Sequence, residues 1–320
     1  MNPDPLSWTR RGQVGLAVVA VAAVLPVALS PYGRFLAAAT MALAIYGVAY
    51  DLAYGYVGLL SFGHAVFFGV GAYAVAFAVN DGGLTLLPSL VVAVGAALVV
   101  ALLMGAVAVR LSENGFVIVT IIFVLVANLA AITFSDITGG YDGFTISLPP
   151  LRIPGLGSFN FFDGMVQYYV LFVALIGVYL LLRRLARSQV GLVFRMVRDN
   201  ETRAELVGYN VTAYKLAALA VSGAFTGLAG AFEALIIGYV NASNFTLPVS
   251  ADPLVYTLIG GRGSLLGPII GAIVLRIAEE LIKDVVTVYP LFVGLLLVAV
   301  LVFEREGVLG AVRRFRGEER

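Results

Sequence analysis

Residues 52–80 read LAYGYVGLLSFGHAVFFGVGAYAVAFAVN, a run with no charged side chain between Asp51 and Asp81. The hydrocarbon core of a bilayer takes roughly 20 apolar helical residues. This run exceeds that length and carries Gly55, Gly58, Gly63, Gly69 and Gly71 along it. Glycine removes the side chain that keeps neighbouring backbones apart, so the run predicts close helix packing or a local break rather than one uniform helix. Broken helices near the membrane midplane are a transporter feature.

The rest of the chain repeats the pattern. Charge-free runs cover 12–33, 35–50, 82–109, 114–135, 164–182, 216–232, 234–251 and 285–303, with shorter ones at 253–261 and 263–275. Of 320 residues 61% are hydrophobic and 12% charged, about half the charged fraction of a soluble domain, and the mean hydropathy is +0.99. These features predict an all-α polytopic membrane protein of about ten transmembrane helices forming a single domain over 1–320, six spans before Arg183 and four after it. The eighth, near 250–261, is short. The first, near 14–30, ends in Ala28-Leu29-Ser30, which weakly resembles a signal-peptide cleavage site; it reads as a retained span.

Lysine and arginine set the orientation, because short positively charged loops stay on the cytoplasmic side. Ten spans with a cytoplasmic N-terminus put 16 of the 20 basic residues inside, leaving Arg34, Arg152, Arg276 and Lys283 in outer loops or near outer helix ends. Both termini are then cytoplasmic, with 304–320 an inner tail. A nine-span reading that merges 250–282 would send the arginine-rich tail outside. Two hydrophilic stretches stand out. Residues 135–165 form an outer loop rich in Gly and Pro, suited to receive a partner or substrate. Residues 183–210 form an inner loop in which Arg198-Asp199-Asn200-Glu201-Thr202-Arg203-Ala204-Glu205-Leu206-Val207-Gly208 alternates charge over helix-compatible residues, predicting a short surface helix that ends at Gly208.

Several chemistries are excluded. The chain has no cysteine and one histidine, so thiolate or all-histidine metal sites are ruled out, and no metal or cofactor is expected. No G-x-x-x-x-G-K-[ST] phosphate loop exists, so the chain does not hydrolyse ATP alone. The Gly261–Gly267 stretch has the wrong spacing for a nucleotide fingerprint, and Glu279-Glu280 beside Lys283 and Asp284 reads as a solvated interfacial cluster. No catalytic residue emerges. A net charge of +1 with two lysines offers no nucleic-acid face.

Glu233 reads as the only acid inside an apolar span, and an intramembrane charge is costly enough to be a functional candidate. It either pairs with Arg276 or lines a pathway. Ser61, His64, Tyr73 and Asn128 are further candidates for pathway lining, with a hydrogen bond to neighbouring backbone as the alternative role of His64. The series Gly223, Gly227, Gly230 and Gly263, Gly267, Gly271 favour tight helix contacts, as do Gly63, Gly69 and Gly71.

The run from Gly55 to Tyr73 resembles the signature of the LivM-type permease of branched-chain amino acid ABC transporters. The likeness continues in order through Thr138-Gly139-Gly140-Tyr141-Asp142-Gly143, Arg198-Asp199-Asn200-Glu201 with Ala204 and Gly208, Lys215, Gly227-Leu228-Ala229-Gly230, and Ile259-Gly260-Gly261-Arg262-Gly263-Ser264-Leu265-Leu266-Gly267-Pro268, covering roughly 45–300. Histidine at position 64 is more similar to the LivM type than to its LivH-type sister, where glutamine is usual; Phe62 and Tyr209 depart from the expected aliphatic residues. The resemblance implies a prokaryotic inner-membrane permease for leucine, isoleucine and valine. Its implied partners are a homologous LivH-type permease, two cytoplasmic ABC ATPases and an extracytoplasmic substrate-binding protein. It makes Arg198, Asp199, Glu201, Ala204, Glu205 and Gly208 the segment coupled to the ATPases. Import of urea or short amides remains open, as does, from another class, an ion-coupled secondary carrier.

Overall fold

The computed structural model describes residue 17 and residues 19–153 and 157–282. The predicted tenth span at 285–303, the tail at 304–320 and Lys283 lie outside the described residues. The described part is an all-α membrane protein. Its helices are α1 (Val19–Ala28), α2 (Pro31–Asp51), α3 (His64–Asn80), α4 (Leu86–Ala108), α5 (Glu113–Thr133), α6 (Ser135–Thr138), α7 (Gly164–Arg187), α8 (Gln189–Asp199), α9 (Glu201–Leu206), α10 (Val211–Ile237), α11 (Leu247–Gly260) and α12 (Leu266–Ile282). Among the described residues five segments are long and apolar enough to cross a membrane: Pro31–Tyr56, α4, α5, α7 and α10. At the helical rise of about 1.5 Å, the 27 residues of α10 extend roughly 40 Å.

The centre of the bundle is α2 and α10. Of their most apolar windows 61% and 72% is buried, against 22–33% for α4, α5 and α7. The outer helices turn Val91, Leu103, Ile122, Leu129 and Val173 outward, each at least half exposed to the surroundings. So many apolar side chains facing out suit lipid and not water.

Small residues bring the central helices together. A methyl group at Gly71 of α3 would overlap the carbonyl of Gly227 on α10, and one at Gly230 would overlap the carbonyl of Phe68. The second close pair is α11 with α12, where Gly260 abuts Gly267 and Gly271 abuts the Tyr256 carbonyl. Gly63 faces the Met104 side chain, and Gly69 lies under the Phe245 ring. Lipid gives no hydrophobic drive for helix association, so this backbone-to-backbone approach is a main source of cohesion.

Asp51 does not divide two spans. Helix α2 runs through it into a π-helical turn, Leu52–Tyr56, and the chain breaks only afterwards, over 57–63. The charge is tolerated because its carboxylate is spent on backbone donors described below. The predicted surface helix over 198–208 is likewise two helices. Asn200 adopts extended backbone, and its side chain accepts from Arg203 N at 2.8 Å, ending α8 and capping α9.

At the far end of the bundle from α9, the 135–165 stretch folds onto the end of α10. Strands β1 (Phe144–Thr145) and β4 (Tyr239–Val240) pair antiparallel, while β2 (Leu151–Ile153) and β3 (Gly157–Phe159) form a separate hairpin. A 3₁₀ turn, Ala242–Phe245, leads into α11.

Gly71→Ala and Gly230→Ala are expected to lower the thermal midpoint of the purified protein, since overpacking costs about 1–3 kcal/mol. Gly95→Ala, which meets open space, leaves it unchanged. Equal midpoints for all three in a melting series would show that these contacts do not limit stability.

Candidate functional site

The break after α2 exposes backbone N–H groups inside the bundle, where water is absent and each unsatisfied group is costly. Short hydroxyl side chains take them up. Phe62 N donates to Thr120 Oγ1 of α5 at 3.1 Å, Gly63 N to Ser61 Oγ at 3.1 Å, and Ala65 N to Ser250 Oγ of α11 at 2.9 Å. The start of α3 is thus pinned by α5 and α11, and Ser61 is wholly buried in that role.

His64 is equally buried, with Nε2 2.8 Å from Ser222 Oγ on α10. The Ser222 hydroxyl donates its single proton to Ala49 O of α2 at 2.6 Å. Nε2 must therefore carry the imidazole proton and donate to Ser222, leaving Nδ1 the bare nitrogen. One relay, His64 to Ser222 to Ala49, joins three helices.

Asp51 forms the second junction. Its Oδ1 accepts from Gly263 N at 2.7 Å and its Oδ2 from Leu265 N at 3.0 Å. These donors belong to the turn joining α11 to α12, where Gly263 (φ 72) and Leu265 (φ 56) are both left-handed. An L side chain in that region costs roughly 1–2 kcal/mol, so the carboxylate holds a conformation Leu265 would otherwise avoid. Gly55 allows the approach, since a methyl there would strike Asp51 Oδ1 and Gly263 N.

Arg198, the last basic residue of α8, completes the junction. Its guanidinium donates to Gly55 O at 2.7 Å and pairs with Asp199 Oδ1 at 3.1 Å, and its stem packs on Gly58, a left-handed residue with φ 87. Next to it, Glu201 pairs with Lys215 of α10 at 2.5 Å, and Ala204 is wholly buried. Leu206 and Val207 at the tip of α9 are 83% and 66% exposed. Helix α9, anchored to α10 through Glu201, thus presents an apolar tip, while α8 just before it grips the end of α2 through Arg198.

The other predicted residues lie elsewhere. Tyr73 stacks on Phe245 at 5.6 Å and donates to Thr138 O at 3.0 Å, and Asn128 donates to Ala242 O at 3.0 Å. Tyr73 therefore ties the 135–165 stretch to the 3₁₀ turn, and Asn128 fastens the 3₁₀ turn. Glu233 lies in a cleft near the same end. Arg276 pairs with Glu279 on its own helix at 2.8 Å, and no Glu233–Arg276 ion pair forms among the described residues. Nor is Glu233 the only acid inside an apolar helix, because Asp51 sits in α2 and Asp252 in α11. Reading each charge as a boundary concealed both. An acid flanked on both sides by apolar runs was the available signal.

The profile of the family described as "Branched-chain amino acid transport system / permease component" matches residues 34–303. The chain is 30% identical to the high-affinity branched-chain amino acid transport system permease protein LivM of Escherichia coli over 319 residues, covering 94% of this chain and 75% of the relative. It is 29% identical to LivM of Salmonella typhimurium over 318 residues, covering 93% and 75%. It is also 25% identical to LivH of Escherichia coli over 296 residues, covering 83% and 91%.

Asp51→Ala strips the acceptors from two buried N–H groups, each worth about 1–3 kcal/mol. The expected result is faster tryptic cleavage after the exposed Arg262 in the loosened turn, scored by limited proteolysis of the purified chain. Unchanged cleavage would mean the turn holds itself.

Proposed function

The chain belongs to the branched-chain amino acid transport permease family, and from that premise we propose that it is the LivM-type membrane subunit of an ATP-binding-cassette importer carrying leucine, isoleucine and valine. It works as one of a permease pair with a LivH-type sister. Two cytoplasmic ATPases supply hydrolysis and an extracytoplasmic binding protein delivers the solute, so the chain itself is not an enzyme. Residues 1–320 act as one permease domain of ten spans in the cytoplasmic membrane, both termini inside, with 135–165 facing outward and 183–210 inward.

The observation that carries this reading is the junction of Arg198 with Gly55 and of Asp51 with the α11–α12 turn. A push on α9, with its exposed Leu206 and Val207, passes through Arg198 directly to the broken end of α2 and to the neighbouring turn. Arg198, Asp199, Glu201, Ala204, Glu205 and Gly208 form the coupling segment that contacts an ATPase. Ser61 and His64 hold the break in register, while Tyr73 and Asn128 hold the outer end and Glu233 borders the path. The alternatives weigh less. The family's printed description names branched-chain amino acids rather than urea, and an ion-coupled carrier has no use for an anchored helix with an apolar tip.

Reconstitution of this chain with its sister permease, ATPases and binding protein in proteoliposomes tests the reading. ATP-dependent leucine uptake is expected; urea uptake in its place would overturn the substrate. Leu206→Asp should cut leucine uptake at least tenfold and weaken ATPase co-purification while leaving the permease's own melting midpoint unchanged. Full uptake by that variant would remove α9 from the coupling role.

A further inference from the structure

A cleft of about 230 Å³ opens among α2, α3, α10, α11 and the segment joining the last two. It is smaller than the roughly 300–1,000 Å³ of pockets for drug-sized ligands, and suits a solute of single amino-acid size. Two carboxylates stand in its wall, Glu233 from α10 and Asp252 from α11, close enough for their charges to act on each other.

Glu233 Oε2 is wholly enclosed and has no hydrogen-bond partner among the described residues. Leaving a carboxylate in this state is expensive, because removal from water costs several kcal/mol unless a cation and hydrogen bonds replace it. Arg276 acts on Glu233 only through space: its Nη1 donates to Glu279 and its Nε is buried without a partner among the described residues, while Glu279 in turn adds to the negative field on Asp252. The described residues contain no cluster of three or more ligands for a metal ion. The remaining wall includes Leu43, Phe68 and Val249. The cleft therefore has two acids on one side, an aliphatic and aromatic patch on another, and a polar rim of Asn241, Ser243 and Asn244 from the segment joining α10 to α11.

We propose that this cleft is a transit subsite for the solute, in which Glu233 and Asp252 accept hydrogen bonds from a primary ammonium group while Leu43, Phe68 and Val249 contact a branched aliphatic side chain. The inference rests on the amino-acid import reading above and adds the contact residues. Ammonium-to-carboxylate hydrogen bonds are charge-assisted and stronger than neutral ones, so the pair favours an amino acid over a neutral solute such as urea.

The test uses the complete importer in proteoliposomes, following leucine uptake and ATP hydrolysis stimulated by the loaded binding protein. The double variant Glu233→Gln with Asp252→Asn should lose leucine uptake at least tenfold while stimulated hydrolysis stays within twofold, since α9 and its junction are untouched. Uptake within twofold of wild type would overturn the subsite, as would uptake and hydrolysis falling together. Leucine uptake that requires Na⁺, a requirement abolished by the double variant, would assign the cleft to an inorganic cation and also overturn it. Should the double variant fail to assemble, the wild-type importer decides. Dicyclohexylcarbodiimide should modify Glu233, detected by mass spectrometry, and turnover with leucine-loaded binding protein should protect it. Unprotected or absent labelling refutes the subsite. A wild-type importer that takes up no leucine sinks the substrate reading itself, which separates the two failures.

Discussion

Buried between packed helices a backbone N–H has no water to fall back on, and the Asp51 carboxylate stands in for that water where the α11–α12 turn would otherwise be open. Its two oxygens meet two amides more than two hundred residues away. The arrangement is economical, since an anion alone in lipid and two bare amides alone would each be costly, and together each satisfies the other. The path of the chain follows from it. α2 continues past the acid into a π-helical turn, the turn presents Gly55 O to Arg198, and the tip of α8 is thereby fixed against the broken helix.

A similar economy runs through the break itself. The hydroxyls of Thr120, Ser61 and Ser250 accept from amides that no helix could serve, and Ser222 links His64 to Ala49 by accepting from one and donating to the other. Small hydroxyl side chains occupy little volume, so they satisfy polar groups without separating helices that glycines have drawn together. Polar satisfaction and close packing therefore depend on the same few small residues.

Much of this was legible in the residue order. Hydropathy located the helices because lipid demands long apolar runs, and the glycines of 52–80 foretold a discontinuity because no side chain there enforces regularity. The end of α9 could be read at Gly208, whose left-handed backbone suits it to terminate a helix. Asp51 and Asp252 were misread as punctuation. A carboxylate in a helix is acceptable only if distant donors or a ligand meet it, and local sequence carries no record of distant donors. For the same reason His64 could be recognised as unusual but its partner Ser222 could not, and the helix break at Asn200 depended on a cap that competes with continued helix.

The pairing of β1 with β4 has a consequence for biosynthesis. Asn241 donates to Tyr141 O, 100 positions earlier, and Ala242 N to Gly140 O, so the far-end stretch has no template until α10 has left the ribosome. At roughly 5–20 residues per second, that stretch waits on the order of 5–20 s before its docking strand arrives. During that interval the left-handed glycines Gly139, Gly140 and Gly143, which keep the segment before β1 out of extended pairing, are an advantage, because a segment that docks late must not pair wrongly first.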